Sequence, residues 1–265
     1  MFLPGTYNDL DVPIGYYTSV YGLGASPTYT KFDGGKGPFS EEGCADFTDG
    51  ALCTFWRSAE NFWTTTNSTM SNTGSGMVWS VSQAAPLRNV KVDNDLIFFE
   101  YMPQSCCAAG YASGGWGSGL QVGGKTSFGS QQQFIVRSSD LAANDNSDTA
   151  AWNGVFVATK GAPAHTCAGA PSVVNMPNVP AVAEKPYITS SDGKLFNLIK
   201  PPVQFNTDWG VPWTSTGIPN SELSPFEDVY VTQPGDTAKI INAKLNQGLH
   251  IIISPGIYNL AASII

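Results

Sequence analysis

Residues 2–8 of this chain read Phe-Leu-Pro-Gly-Thr-Tyr-Asn, and residues 253–259 read Ile-Ser-Pro-Gly-Ile-Tyr-Asn. A repeated phrase constrains architecture before any single residue does, because each copy belongs in an equivalent structural unit. Copies at opposite ends predict one module that runs most of the chain, followed by the opening turn of a second. The natural protein is then expected to be longer, and a site built between the two modules would be only half present here.

Between the two copies, short β-rich runs recur at 16–20, 77–81, 90–92, 96–101, 119–122, 133–137 and 155–159, each flanked by Gly, Asn, Asp or Pro. A β-sandwich would offer similar runs. Asn- and Ser-rich corners, few hairpin-type Asn-Gly turns and the repeated entry phrase favour a solenoid. The predicted fold is therefore all-β, a right-handed parallel β-helix of the pectin-lyase-like kind, with a first module over 1–162. Residues 163–224 are Pro-rich and predict an irregular connector, since Pro cannot donate to a ladder. The connector carries one expected hairpin, 187–189 with 195–198, turning at Ser191-Asp192-Gly193. Residues 225–265 predict one short capping helix and the first coil of the second module. The helix is placed over 236–248, with Asp236 as N-cap, Ala238, Ile241 and Leu245 on one face, and Gly248 as the stop.

Composition narrows the function classes. Charged residues are only 13% of the chain against 28 Gly and 18 Pro, which suits tight turns rather than long surface helices. A formal net charge of -8 argues against nucleic acid and anionic membrane as partners, because phosphate binding needs clustered Lys and Arg. The apolar stretch 250–265 is broken by Pro255 and Gly256, so no transmembrane helix is expected. Met1 leads straight into strand-like residues without the pattern of a signal peptide. Five cysteines fit no zinc spacing, and no metal or other cofactor is expected. Cys44 and Cys53 share one Gly- and Asp-rich loop that a disulfide would close in a secreted protein. Asn67-Ser68-Thr69 matches a glycosylation acceptor.

The densest polar motif is 129–139. Strand alternation puts Gln131, Gln133 and Arg137 on one face and Gln132, Phe134, Val136 and Ser138 on the other, interior face. Two amides projecting side by side would hold sugar hydroxyls or an attacking water; the alternative is an amide ladder that satisfies only its neighbours. Trp56, Arg57 and Glu60 combine aromatic faces with charge, as sugar platforms do, and as a half-buried Trp held by an ion pair also does. Gln83 repeats the amide theme and Trp116 adds a further aromatic surface, so both join the substrate-binding candidates. Among Asp93, Asp95 and Glu100, Glu100 is the best catalytic carboxyl because it ends an apolar run, with a solvated or turn role as the alternative for all three. His165 and His250 are too far apart in sequence to suggest a triad, and no P-loop or dinucleotide fingerprint is present.

The phrases Pro4-Gly5-Thr6-Tyr7-Asn8, Phe55-Trp56-Arg57-Ser58-Ala59-Glu60-Asn61, Val81-Ser82-Gln83-Ala84-Ala85-Pro86, Gly129-Ser130-Gln131-Gln132-Gln133 and Pro234-Gly235-Asp236-Thr237 resemble a group of secreted microbial β-helix proteins. Members of that group often carry labels such as adenylyl cyclase or coagulation factor 5/8-type domain. More distantly, the chain is similar to the twin-β-helix exo-β-1,3-glucanases of glycoside hydrolase family 55. That resemblance implies a site in the groove between two helices. It implies Gln131 and Gln133 as the pair holding the nucleophilic water, and a general-acid Glu from the second module, which no residue of this chain matches. The function it implies is an extracellular carbohydrate-active protein, an inverting glycoside hydrolase on a β-glucan-like polysaccharide. Two other readings stay open: a non-catalytic structural or glycan-binding β-helix protein of a wall, matrix or filament, and an assembly module that self-associates.

Overall fold

The structure is a computed structural model that describes residues 1–41, 50–67, 75–100, 109–141, 153–166 and 172–265. The chain divides into two compact units, residues 1–183 with 203–219, and residues 184–202 with 220–265.

The first unit is built on a parallel sheet whose strands follow one another as Gly5–Asn8, Thr30–Asp33, Ser58–Thr64, Pro86–Val92, Gly115–Val122, Gln133–Asp140, Asn153–Lys160 and Ser172–Met176, with Ser19–Tyr21 also paired to strand 58–64. Between visits to this sheet the chain adds a short strand to a second parallel sheet, at Met77–Val78, Leu96–Ile97 and Thr126–Ser127. Each turn of the chain therefore lies on the one before it. Parallel strands need such crossovers, and burial of both sheets' inner faces is what makes them stable.

Register keeps like with like along the stack. Phe62 pairs with Val90, and Val90 with Leu120, and all three are fully buried. In the second sheet Met77, Leu96 and Thr126 form the equivalent rung. Aromatic rings fill the space between the sheets: Phe98 stacks on Phe128 at 5.5 Å, and Phe134 and Phe156 meet Phe128 edge-on at 5.0 and 5.5 Å. Each such ring contributes roughly 2–3 kcal/mol by leaving water. The indole of Trp79 donates to Ala85 O at 3.0 Å, so its one polar atom is satisfied inside the core.

One backbone feature recurs on every long strand. Asn61, Asn89, Gly119, Ser138 and Ala158 all lie in the left-handed region, with φ of 62°, 49°, 65°, 49° and 48°. The paired positions flank these residues and skip them, Ser118 with Arg88 and then Leu120 with Val90 for example. The row is a stacked bulge that bends each strand at the same height. Only one of its five residues is glycine, and there a Cβ would come within 2.3 Å of Asn89 Oδ1.

Strand 58–64 is absent from the runs expected from sequence. Glu60 and Asn61 interrupt its apolar pattern, yet both are buried. Asn61 is there for the bulge, and its Nδ2 donates to Gly22 O and Gly24 O at 2.8 and 2.7 Å. The parallel sheet also continues past residue 162, the expected end of the first module, into strand 172–176. The Pro-rich stretch is divided between the two units. Val179–Ala183 pairs antiparallel with Val203–Thr207 in the first, and the expected hairpin forms in the second.

In the second unit, Tyr187–Thr189 pairs antiparallel with Asn197–Lys200, and Glu222–Pro225 adds a third strand. Val229–Val231 and His250–Ile252 are parallel and joined through the helix Ala238–Asn246. Its N-cap is Thr237, one residue later than expected, whose hydroxyl accepts from Ile240 N at 3.4 Å. Asp236 is otherwise engaged, its carboxylate accepting from Gln233 N and from the Tyr230 hydroxyl. The two copies of the repeated phrase share one hydrogen bond, Tyr7 donating to Leu3 O at 3.0 Å and Tyr258 to Ser254 O at 3.1 Å, but only the first copy forms a strand, Gly5–Asn8.

Lys200 Nζ lies 2.6 Å from Glu222 Oε1 and 2.8 Å from His250 Nε2. The Lys200 hydrogen bond, with the charges of Lys200 and His250, holds the Glu222 carboxyl below the usual range.

Two expectations follow from these arrangements. Gly119→Ala should lower the stability of the first unit by about 2–4 kcal/mol, from left-handed strain and the clash with Asn89, read as a shift in its denaturant midpoint. A depressed carboxyl stabilises the fold above its unfolded value of about 4.3 and ceases to do so as pH falls through the folded value. The melting temperature of the wild-type second unit should therefore drop on the acid side more steeply than that of Lys200→Met, a difference that calorimetry at a series of pH values checks.

Candidate functional site

The outward corner preceding the long strands collects the polar and aromatic groups. Tyr17 N donates to Trp56 O at 2.7 Å, and Trp56 N to Gln83 O at 3.4 Å. Further along the stack, Gly114 N donates to Gln133 O at 2.7 Å, and Gln133 pairs with Asn153. Tyr17, Trp56, Gln83, Ser113, Gln133 and Asn153 thus form one row running across successive coils, although 136 positions separate its first and last members in sequence.

The backbone along this row is held in an unfavourable conformation. Tyr17, Trp56 and Ala84 have φ of 56°, 47° and 58°, and Gly114 has φ 81°. Bulky residues there cost on the order of 1–3 kcal/mol each and persist only where surrounding structure imposes them. The effect is to turn the rings outward: Tyr17 and Trp56 are 82% and 52% exposed, stacked nearly parallel at 5.6 Å. An exposed aromatic face of this kind is what the C–H face of a sugar packs against.

The amides sit beside the rings. The side chain of Gln83 lies against Gly114, where a Cβ would be 2.5 Å from Gln83 Cγ, so glycine is needed for this approach. Ser113 Oγ donates to Gln133 Oε1 at 2.5 Å. That bond fixes which way the Gln133 amide faces and leaves its NH2 directed by the same geometry.

Gln131 does not stand beside Gln133. It is fully buried, and its Nε2 donates to Val81 O and Phe98 O at 2.7 and 2.8 Å. The expected alternation fails because residue 131 forms an isolated bridge with Ala112, residue 132 is a bend, and the strand begins only at Gln133. Gln131 ties two inner carbonyls together under the corner that carries Gln133 outside.

The charged candidates are also buried. Arg57 is buried, donating to Ile14 O at 2.5 Å and Ser40 Oγ at 3.2 Å, with its guanidinium 5.1 Å from the Tyr16 ring. Burial lowers its pKa from the ordinary range. Arg57 therefore supports the aromatic corner from below. Glu60 is buried opposite Arg88 on the neighbouring strand, and Glu100 is buried with its carbonyl accepting from Gly110 N. Trp116 lies on the outer face two positions beyond Gly114, with Arg88 over its ring at 4.2 Å and Arg137 at 6.0 Å.

The structure thus brings together Trp56, Gln83 and Gln133 on the corner, with Trp116 near, whereas Gln131, Arg57, Glu60 and Glu100 are buried. Tyr17, Ser113 and Asn153 were not singled out from sequence. A bulky pair after Gly15 hints at the first, whereas the other two become visible only once the coils are in register. Cys53 is disulfide-bonded; Cys44 and the other three cysteines lie outside the described residues. Asn67 is exposed.

No protein-family model matches the chain. An exo-β-1,3-glucanase from Streptomyces sp. (strain SirexAA-E / ActE) is 36% identical over 261 residues, which covers 98% of this chain and 39% of that protein. The solved structure of sacteLam55A from Streptomyces sp. SirexAA-E superposes with a TM-score of 0.77 at 34% identity, over 98% of this chain and 43% of that one. A glutamate-to-alanine variant of sacteLam55A in complex with glucose superposes with a TM-score of 0.79, at the same identity and coverage. The chain therefore spans about two fifths of the length of the relatives it matches. In sequence and in structure, nearly all of this chain is homologous to an exo-β-1,3-glucanase.

Proposed function

We propose that this chain forms the sugar-facing first module of an extracellular glycoside hydrolase acting on β-1,3-glucan. The carrying observation is homology to an exo-β-1,3-glucanase over 98% of the chain, together with an outward row of rings and amides on a rigid parallel stack. The crossover rule for parallel strands supports right-handed winding, and with it the reading of the first unit as a right-handed parallel β-helix. Residues 225–265 open a second module, a reading supported by the tyrosine hydrogen bond shared by the two copies of the repeated phrase. The Cys53 disulfide fits an oxidising compartment.

In this reading Trp56 and Tyr17 form the platform, Gln83 and Trp116 contact hydroxyls and ring faces, and Gln133, oriented by Ser113, positions the attacking water. Gln131 acts from inside by holding the corner. Inversion needs a general acid on the far side of the sugar ring from that water. The family 55 resemblance assigns the acid to the second module, and Glu100, being buried, is set aside for the role. The cyclase and coagulation-factor labels of the resembling secreted proteins form no part of the proposal.

A second reading rests on the same row: exposed, stacked rings beside amides suit glycan binding without cleavage as well. Self-association is a further proposal that solution mass tests.

Gln133→Ala in the full-length protein should reduce kcat on β-1,3-glucan by about 10²-fold or more, the scale of a lost positioning group in proton transfer, with KM little changed. Trp56→Ala should instead raise KM about tenfold through the lost stacking. Unchanged turnover in Gln133→Ala would remove the water-positioning role. Glycan binding by the full-length wild type without product release would establish the second reading.

A further inference from the structure

The exposed rings lie well away from Gln133 on the same corner. Trp56 N donates to Gln83 O, the Gln83 side chain lies against Gly114, and Gly114 N donates to Gln133 O, so three coil steps separate Trp56 from Gln133. Tyr17 is one step further, its N donating to Trp56 O. At the spacing of neighbouring strands these separations are roughly 14 Å and 19 Å. A single pyranose ring spans neither. A sugar residue resting on the Tyr17–Trp56 stack is therefore not the residue whose bond a water at Gln133 would attack.

The fold alone gives little reason for these rings. Tyr17 is 82% exposed with φ 56°, and Trp56 is 52% exposed with φ 47°. Glycine takes this left-handed region without strain, and a side chain left in water gains little from packing. The Tyr17 ring meets Trp56 at 5.6 Å and Tyr16 at 6.4 Å, both of them exposed as well. Strained backbone that presents bulky rings to solvent is characteristic of binding sites. Flat aromatic faces impose no hydrogen-bond pattern, so they suit the repeating C–H faces of a polymer at whatever residue falls there. Gln83 is exposed between the rings and Gln133, and its amide can both donate to and accept from hydroxyls along the way.

We propose that the Tyr17–Trp56 stack is a distal subsite that reads chain length. It binds glucan residues remote from the cleaved bond and makes the preferred substrate a long chain rather than a disaccharide. The inference rests on the proposed function, which puts the attacking water at Gln133. A disaccharide can occupy the Gln133 end without reaching the rings. A longer chain occupies both, and its second contact, being intramolecular, strengthens binding through effective concentration.

The test compares the β-1,3-linked disaccharide and hexasaccharide of glucose as substrates of the full-length protein. Wild-type kcat/KM should favour the hexasaccharide by about tenfold or more, the scale of a stacking contact. Tyr17→Gly and Trp56→Gly should each remove most of that advantage. Glycine suits the left-handed backbone at both positions, so the corner is kept while the ring is lost. Gln133→Ala should instead lower turnover of both substrates, which separates failure of the water-positioning role from failure of the distal subsite. Where neither substrate is hydrolysed, the proposed function falls, and the ratio of the two dissociation constants, measured by calorimetry, replaces the ratio of kcat/KM. A ratio left unchanged by both glycine variants, or no wild-type preference for the hexasaccharide, would overturn the distal subsite.

Discussion

The rest of the structure depends on the parallel backbone ladder between one coil and the next. A single short coil cannot bury its apolar face or satisfy its own peptide groups; stacked, each supplies the hydrogen-bond partners of its neighbour and one wall of a continuous core. Because the ladder fixes register, it also decides which residues become neighbours. Phe62, Val90 and Leu120 come together by the same pairing that brings Trp63, Lys91 and Gln121 into one row on the outside.

Left-handed residues shape this stack in two places. The row from Asn61 to Ala158 bends the sheet at one height, and the row of Tyr17, Trp56, Ala84 and Gly114 forms the corner that turns aromatic side chains toward solvent. The second row carries large side chains where glycine would be less strained. A conformation this costly, repeated at the same corner on successive coils, is sustained by the ladder, by Arg57 packed beneath Tyr16 and by Gln131 pinning Val81 and Phe98. The buried polar residues thus hold the corner in place, and the exposed ones on it are left free to meet a ligand.

Several features were legible in the residues themselves. Short apolar runs separated by turn residues identified an all-β chain with few helices, and helix Ala238–Asn246 and hairpin 187–200 formed close to where local signals placed them. The repeated Pro-Gly-X-Tyr-Asn phrase encodes a local tyrosine-to-carbonyl bond that both copies make. Strand 58–64 was obscured by Glu60 and Asn61, because polar residues inside a bulge look like loop residues when read alone. The stacking period was hidden as well: paired rungs are 28 positions apart at Phe62 and Val90 but 20 apart at Asp140 and Lys160.

By itself the sequence determined what local chemistry can determine: strand-forming runs, turns, a helix with its stop, a net negative charge, and an abundance of amides and rings. Only the tertiary structure decided which of those amides face outward. Gln131 and Gln133 are two residues apart and alternation would place them together, yet a bridge and a bend between them send one into the core and leave the other beside Ser113. The reason is physical: side-chain alternation holds only within a continuous strand, and where a strand begins is set by the coil it pairs with, many residues away.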